Sequence, residues 1–282
     1  VEIKGAVVLI TGASSGIGRA ASLAFDEAGA RVAMAARRRE RLEENAERMQ
    51  HALVVPTDLA DETQAAAMVE KTVAHYGRLD VLINNAAAAV LARSDAIEPA
   101  DLRRVLETNL VGHVIATNHA VRHMRRAGGG HIINVTSTAG WMGTPLLAIY
   151  AASKAAVSGW TRSLQTEWAG TEIFVSEYSP GLIATEMGPA TTGASELGEL
   201  DFNVFGDSDQ AWLMRRFARP TPPERVGADL VELVRKPRLM MHTNLFIRVI
   251  SWLGQYPRLR RLMGGVMSNA LRRRLGLSVF TD

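Results

Sequence analysis

Ala6-Val7-Val8-Leu9-Ile10-Thr11-Gly12-Ala13-Ser14-Ser15-Gly16-Ile17-Gly18-Arg19-Ala20-Ala21-Ser22-Leu23-Ala24-Phe25 is the segment from which the architecture is read. Ala6 to Ile10 is an unbroken apolar run, the pattern of a strand buried on both faces in a parallel sheet. Arg19 to Phe25 carries helical periodicity. Between the two lie glycines spaced Gly-x-x-x-Gly-x-Gly. Where side chains are missing, backbone amides and a helix N-terminus can approach a pyrophosphate. Strand, glycine turn and helix in that order is the context a dinucleotide site needs. The spacing is not the commoner Gly-x-Gly-x-x-Gly, and a glycine-rich turn alone is equally a tight structural turn.

The next strand, Ala30 to Ala36, reaches the place where an NAD-preferring site carries an acid for the ribose 2′-hydroxyl. Ala36 has no carboxylate, and Arg37, Arg38 and Arg39 follow. A guanidinium pairs bidentately with a 2′-phosphate, so the expected cofactor is NADP(H) rather than NAD(H). Arg37 is the first choice and Arg38 the second, while Arg39 begins a solvated helix running to Met49. Ala52 to Val55 forms a third strand ending in Thr57-Asp58-Leu59, followed by a helix from Glu62 to Tyr76. Leu79 to Ile83 forms a fourth strand ending in Asn84-Asn85-Ala86-Ala87.

His131 to Val135 reads as a buried strand with Ser137 just past its end, where open α/β sheets place their chemistry. Tyr150 and Lys154 follow at a spacing of four, on one face of a helix. A phenol titrates near ~10 in water, and an adjacent ammonium lowers that value by favouring phenolate. Alone, Tyr-x-x-x-Lys is also an ordinary amphipathic helix.

Taken together, Thr11-Gly12-x-x-x-Gly16-x-Gly18, then Ser137, Tyr150 and Lys154, resemble the short-chain dehydrogenase/reductases over residues 4–235. The resemblance implies a Rossmann fold, a doubly wound seven-stranded parallel sheet in three α/β/α layers. It also implies hydride transfer between NADP(H) and a carbonyl or secondary alcohol, with Tyr150 as general acid and base. In that pattern Asn109, within Thr108-Asn109-Leu110, completes the catalytic set by kinking the helix from Glu98 to Ala127 and holding a water behind Lys154. Gly12, Ser14, Ser15, Gly16, Ile17 and Gly18 would cradle the pyrophosphate. Asp58 would contact the adenine and Leu59 would pack on it, although Asp58 could instead cap the following helix. Asn85, Ala86 and Ala87 would line the cofactor, Ala87 replacing the family's usual glycine. Tyr150 and Lys154 would also hold the nicotinamide ribose. Pro180 and Gly181 would form the turn beside the nicotinamide, with Ile183 on the carboxamide and Thr185 on the pyrophosphate. Ser137 and Tyr150 would bind the substrate oxygen, with Trp141 and Met142 on the pocket rim. The helix from Tyr150 to Trp168 is rich in small residues, and in the family it packs on its copy, giving a homodimer or homotetramer.

The 282 residues, 47% hydrophobic and 22% charged, suit one large catalytic domain over 1–236, with a substrate lid at about 184–223. Phe202, Phe205, Trp212 and Phe217 lie in that lid and could enclose an apolar substrate or anchor the loop. No cysteine is present, which excludes disulfides and thiolate metal sites and fits a reducing, cytoplasmic setting. No cluster has metal-ligand spacing, no signal peptide is read, and no apolar run of about 18 residues suggests a membrane span. From Leu233 to Thr281 there are ten Lys/Arg and no Asp or Glu, whereas the remainder carries 22 basic and 29 acidic residues, a net −7. The extension 237–282 is therefore basic. Leu259, Leu262, Met263, Val266, Met267, Ala270 and Leu271 make its second half amphipathic. It could pack on the acidic body or lie peripherally on an anionic membrane. No nucleic-acid reading motif accompanies the charge, so no nucleic acid is expected. The alternatives are an NAD(H)-dependent alcohol dehydrogenase on the same fold, a membrane-associated protein whose tail carries the main function, and a non-catalytic NADP(H)-binding protein, against which the complete Asn109, Ser137, Tyr150, Lys154 set argues.

Overall fold

Along β1 (Val7–Thr11) successive side chains point to opposite faces, and all five residues are buried, so both faces of the sheet must be covered. The structure, a computed structural model, describes residues 2–184, 220–262 and 264–265. β1 is joined by β2 (Arg31–Ala36), β3 (Ala52–Pro56), β4 (Val81–Asn84), β5 (Gly130–Val135), β6 (Ile173–Ser179) and β7 (Met240–His242). They form one seven-stranded sheet in the order β3-β2-β1-β4-β5-β6-β7. Every neighbouring pair is parallel. This is the doubly wound sheet the sequence implies.

The helices are α1 (Gly16–Glu27), α2 (Arg39–Ala46), α3 (Glu62–Tyr76), α4 (Pro99–Leu106), α5 (Gly112–Arg126), α6 (Ala139–Met142), α7 (Ala148–Glu167), α8 (Pro223–Arg235) and α9 (Leu245–Leu253). Val8 and Ile10 pack with Ala21 and Phe25 of α1 and Val226 and Leu230 of α8 on one face. Val7 and Leu9 pack with Met68 of α3, Ala116 and Met124 of α5 and Leu164 of α7 on the other. Asp61 starts α3 by accepting from the amides of Thr63 (2.9 Å) and Gln64 (3.1 Å). The cap thus falls to Asp61, not Asp58.

One feature matches the sequence reading and one goes beyond it. The helix expected from Glu98 to Ala127 is interrupted by a π-turn at Glu107–Val111, centred on Asn109. Such a bulge is the kink expected at that residue. Leu245 to Leu253, within the extension 237–282, is a helix. β1 lies between β2 and β4, so the winding reverses there and the crevice beyond the strand ends opens at Thr11 and Asn84. Ile183 bridges Thr221 in parallel, tying the two sides of the expected lid together at its base. Thr185, the lid aromatics and the tail beyond residue 265 lie outside the described residues.

Candidate active site

The glycine turn leaves no room for a side chain at Gly12 or Gly18. A Cβ on Gly18 would fall on the carbonyl of Gly12 and lie 2.8 Å from Asn85 Nδ2. Gly12 has φ +71°, and its Cβ would lie 2.8 Å from the Ala86 Cα. These contacts fix the turn against the end of β4. Thr11 Oγ1 accepts from the amides of Asn85 (2.9 Å) and Ala86 (3.0 Å), and Asn85 Nδ2 donates to Thr11 O at 2.8 Å. Ala87 takes no left-handed φ, because Leu146 is the one non-glycine residue with positive φ among those described. The replacement of glycine there needs no special backbone.

Asn109 connects that loop to the catalytic helix. It is fully buried in the π-turn. Its Oδ1 accepts from the Ala88 amide at 2.7 Å, and its Nδ2 donates to Ala88 O and to Ser153 Oγ, both at 2.9 Å. Ser153 Oγ in turn donates to Tyr150 O at 2.7 Å. A hydrogen-bonded path thus runs from Thr11 through the 85–88 loop, Asn109 and Ser153 to the turn of α7 that carries Tyr150 and Lys154. Leu146, with φ 65° and buried, sits just before α7, and its carbonyl accepts from Ala92 N at 3.0 Å. A bulky residue in that conformation is strained backbone next to a site.

Ser137 follows β5 and turns the chain into α6, accepting at Oγ from Ala139 N at 3.2 Å. Gly140 lets α6 press on α7, since its Cβ would lie 2.8 Å from Ala155 N. The Ser137 hydroxyl lies near enough to the Tyr150 phenol to influence its titration. Burial raises the Tyr150 phenol above its ordinary value, and the Ser137 contact opposes that rise. The sequence reading has Lys154 lowering it. Instead Nζ lies 5.9 Å from the Tyr150 ring centroid and donates to Val135 O at 2.8 Å. Desolvation therefore governs the phenol. Lys154 itself is 2% exposed, and burial brings its ammonium down to about 8.

Of the two candidate arginines, Arg38 meets the glycine turn. Its guanidinium donates to Ser14 Oγ (3.0 Å) and Ser15 Oγ (2.7 Å), while Arg37 stands exposed past the end of β2. Asp58 accepts from Ala60 N at 3.0 Å, and Leu59 is buried against Gly112. Gly181 donates its N–H to Thr243 Oγ1 at 3.3 Å. Trp141 lies under Arg162, 5.1 Å from guanidinium to ring centroid, and Met142 borders Gly254.

Sequence reasoning passed over several residues that the fold brings in. Ser153 precedes Lys154 directly and could have been singled out on that ground. Glu177, buried on β6, accepts from Thr136 Oγ1 (2.8 Å) and Ser158 Oγ (2.9 Å), so it joins the residue before Ser137 to the turn of α7 after Lys154. Burial raises the Glu177 carboxyl pKa. His113, one turn past Asn109, is wholly buried with both ring nitrogens unpartnered. Burial and the Lys154 charge bring its imidazole down to about 3, so it is neutral. Among the described residues no cluster of His, Cys, Asp and Glu could hold a metal.

Residues 6–195 match the family model described as short chain dehydrogenase. An 11-beta-hydroxysteroid dehydrogenase A of Arachis hypogaea is 35% identical over 208 residues, 71% of this chain and 58% of that protein. The chain thus spans a little over half the length of that relative. An NADPH-dependent aldehyde reductase 1, chloroplastic, of Arabidopsis thaliana is 36% identical over 204 residues, 67% of this chain and 69% of that protein. A solved short chain dehydrogenase/reductase from Burkholderia phymatum in complex with NAD shares the fold. Its TM-score is 0.77 over 90% of this chain and 94% of that one, at 22% identity.

Proposed function

The chain belongs to the short-chain dehydrogenase family of oxidoreductases, and from that premise we propose that it interconverts a carbonyl and a secondary alcohol on an apolar substrate, using NADP(H). The observation that carries the reading is the hydrogen-bonded path from Thr11 through Asn109 and Ser153 to Tyr150. It ties a turn closely packed at Gly12 and Gly18 to a tyrosine and lysine one helical turn apart. A dinucleotide fits the residues present: the pyrophosphate over Gly12 to Gly18, the 2′-phosphate on Arg38 with Arg37 beside it. The nicotinamide end would rest near Pro180, Gly181 and Ile183. When bound, the nicotinamide supplies or takes up the hydride.

The chain's own residues handle the oxygen and its proton. Ser137 and Tyr150 hydrogen-bond the substrate oxygen. Tyr150 gives its phenolic proton to that oxygen in reduction and takes it back in oxidation. Lys154 places a positive charge one turn away, which steadies the phenolate left after transfer. Asn109 fixes the helix turn through Ser153, so Tyr150 meets the substrate without having to reorganise. The relatives described as an 11-beta-hydroxysteroid dehydrogenase and an aldehyde reductase support carbonyl chemistry. The lack of cysteine fits a cytoplasmic setting. A second copy is expected on the outward side of α7, where Ala152, Ala156 and Ser163 are exposed.

Titration of NADPH and NADH by nicotinamide fluorescence, with Arg38→Ala alongside, tests the cofactor assignment. A guanidinium–phosphate hydrogen bond contributes about 1.5–3 kcal/mol, so Arg38→Ala should weaken NADPH about ten- to hundredfold and leave NADH nearly unchanged. NADH binding as tightly as NADPH to the parent chain would overturn it and make NAD(H)-linked alcohol oxidation the leading reading.

A further inference from the structure

Helix α9 is held on one side only. Asn244 caps it, accepting from Ile247 N at 2.9 Å. On its inner side Ile247 and Ser251 are buried, and Ile247 fills the place where a side chain on Gly181 would stand. Gly254, just past its end, lies against Trp141 and Met142 of α6. The helix therefore leans on the turn and the short helix that border the cleft.

Among the described residues its other side is apolar and uncovered. Leu245 is 72% exposed and Trp252 55%, with Val249 between them. The strip continues past the turn through Tyr256 and Leu259 to Leu262, which is 66% exposed. The Trp252 and Tyr256 rings meet edge to face with centroids 5.0 Å apart, joining α9 to the turn that follows it. Exposed Arg248, Arg258, Arg260 and Arg261 are interleaved with the strip. No acidic residue occurs between Leu233 and Thr281.

A contiguous apolar strip of this kind marks a binding surface. Two observations choose its occupant. A second copy would bring an equally acid-free, arginine-rich face against this one, and like charges across an interface oppose association. An anionic bilayer instead offers negative headgroups for the arginines, an acyl boundary for Leu245, Val249 and Leu262, and the headgroup level that suits Trp and Tyr. No helix among the described residues is long and apolar enough to cross a membrane, so the contact is peripheral. We propose that the outer face of α9 and its continuation to Leu262 docks the protein on an anionic lipid surface. The cleft-side contacts of α9 then place the site entrance beside the membrane. The docking does not depend on which reaction the cleft performs.

The test is flotation of the full chain with vesicles of phosphatidylcholine alone or with about a quarter phosphatidylglycerol, at about 0.1 M and about 0.5 M salt. Two surface variants run alongside: Val249→Ser with Trp252→Ser, and Arg258→Glu with Arg260→Glu and Arg261→Glu. Thermal melting checks that each is folded. The parent should float with anionic vesicles at low salt, at least tenfold more strongly than with neutral vesicles or at high salt. Each variant should lose at least tenfold of that binding. Absence of flotation, or equal flotation with neutral vesicles, overturns the proposal. So does sedimentation velocity showing that the Val249 and Trp252 substitutions dissociate an oligomer while the parent ignores vesicles, which would assign the face to a second copy.

Discussion

Replacing Lys154 with methionine should destroy turnover and yet stabilise the chain. The ammonium is 2% exposed and its pKa falls from 10.5 to about 8 on folding. That difference corresponds to about 3 kcal/mol by which folding disfavours the charged form. Methionine fills a similar volume without charge. It forfeits the hydrogen bond to Val135 O, which offsets about 1 kcal/mol. The net gain near pH 7 is about 2 kcal/mol, or about 3–4 °C in Tm for a chain of this size. The sign follows from linkage. The folded-state value lies below the unfolded one, so the unfolded chain binds more protons between pH 8 and pH 10.5. The parent therefore gains stability across that window as the lysine sheds its charge. Below pH 8 the penalty is fully present; above 10.5 it is gone. Melting both proteins from pH 7 to pH 10 should show Lys154→Met ahead at pH 7, with the gap closing toward pH 10. A variant that melts at or below the parent at pH 7, or a gap that does not change with pH, would refute the claim that burial of this charge costs stability.

Tyr150→Phe keeps the ring and removes the transferable proton. Turnover on any carbonyl panel should fall at least a thousandfold while NADPH affinity stays within about threefold of the parent, and substantial residual turnover would sink the proton-transfer role. Gly18→Ala would set a methyl against the carbonyl of Gly12 and the side-chain amide of Asn85. Cofactor affinity should fall at least tenfold by the same fluorescence titration, whichever nicotinamide is used, and an unchanged affinity would show that the turn does not hold the pyrophosphate.

The sheet was legible because parallel strands buried on both faces leave unbroken apolar runs, as Val7 to Ile10 and Val81 to Ile83 do. The positions of Ser137, Tyr150 and Lys154 were legible because strand ends and helical spacing are local properties. What escaped depends on contacts distant in sequence. Nothing around Asn109 announces that its amide will reach Ala88 and Ser153, 21 and 44 residues away. Arg37 and Arg38 are equivalent as letters. The twist at the end of β2 sends the second of them onto Ser14 and Ser15. The direction of the Tyr150 shift was misread for the same reason. Spacing shows that a lysine is near, but only the packed cleft shows that desolvation outweighs it.

The sheet also breaks its own apolar rule in one place. β1 and β2 carry buried apolar side chains almost to their ends, whereas β4, β5 and β6 turn polar toward theirs, with Asn84, Asn134, Ser176, Glu177 and Ser179 all buried. Asn84 donates to Thr117 Oγ1 and Asn134 Oδ1, and Asn134 passes the chain on to Thr161 of α7. Glu177 forms a separate set, accepting from Thr136 Oγ1 and Ser158 Oγ. An apolar isostere at these positions would pack as well and avoid the desolvation cost, so core stability alone does not select them. Ser176 bonds His131 and the Arg238 carbonyl, but Asn84, Asn134 and Glu177 lie behind the helix that carries Tyr150 and Lys154. There, directional bonds fix the rotation of α7 and its depth on the sheet more tightly than interchangeable methyl contacts would. Among the buried groups left without a partner, Asn84 Oδ1 and both nitrogens of His113 lie in this region, while His131 Nδ1, His242 Nδ1 and Ser251 Oγ lie elsewhere. Local choices that cost stability and gather at one end of three adjacent strands are what a site requiring a fixed tyrosine and a buried ammonium would leave in the core.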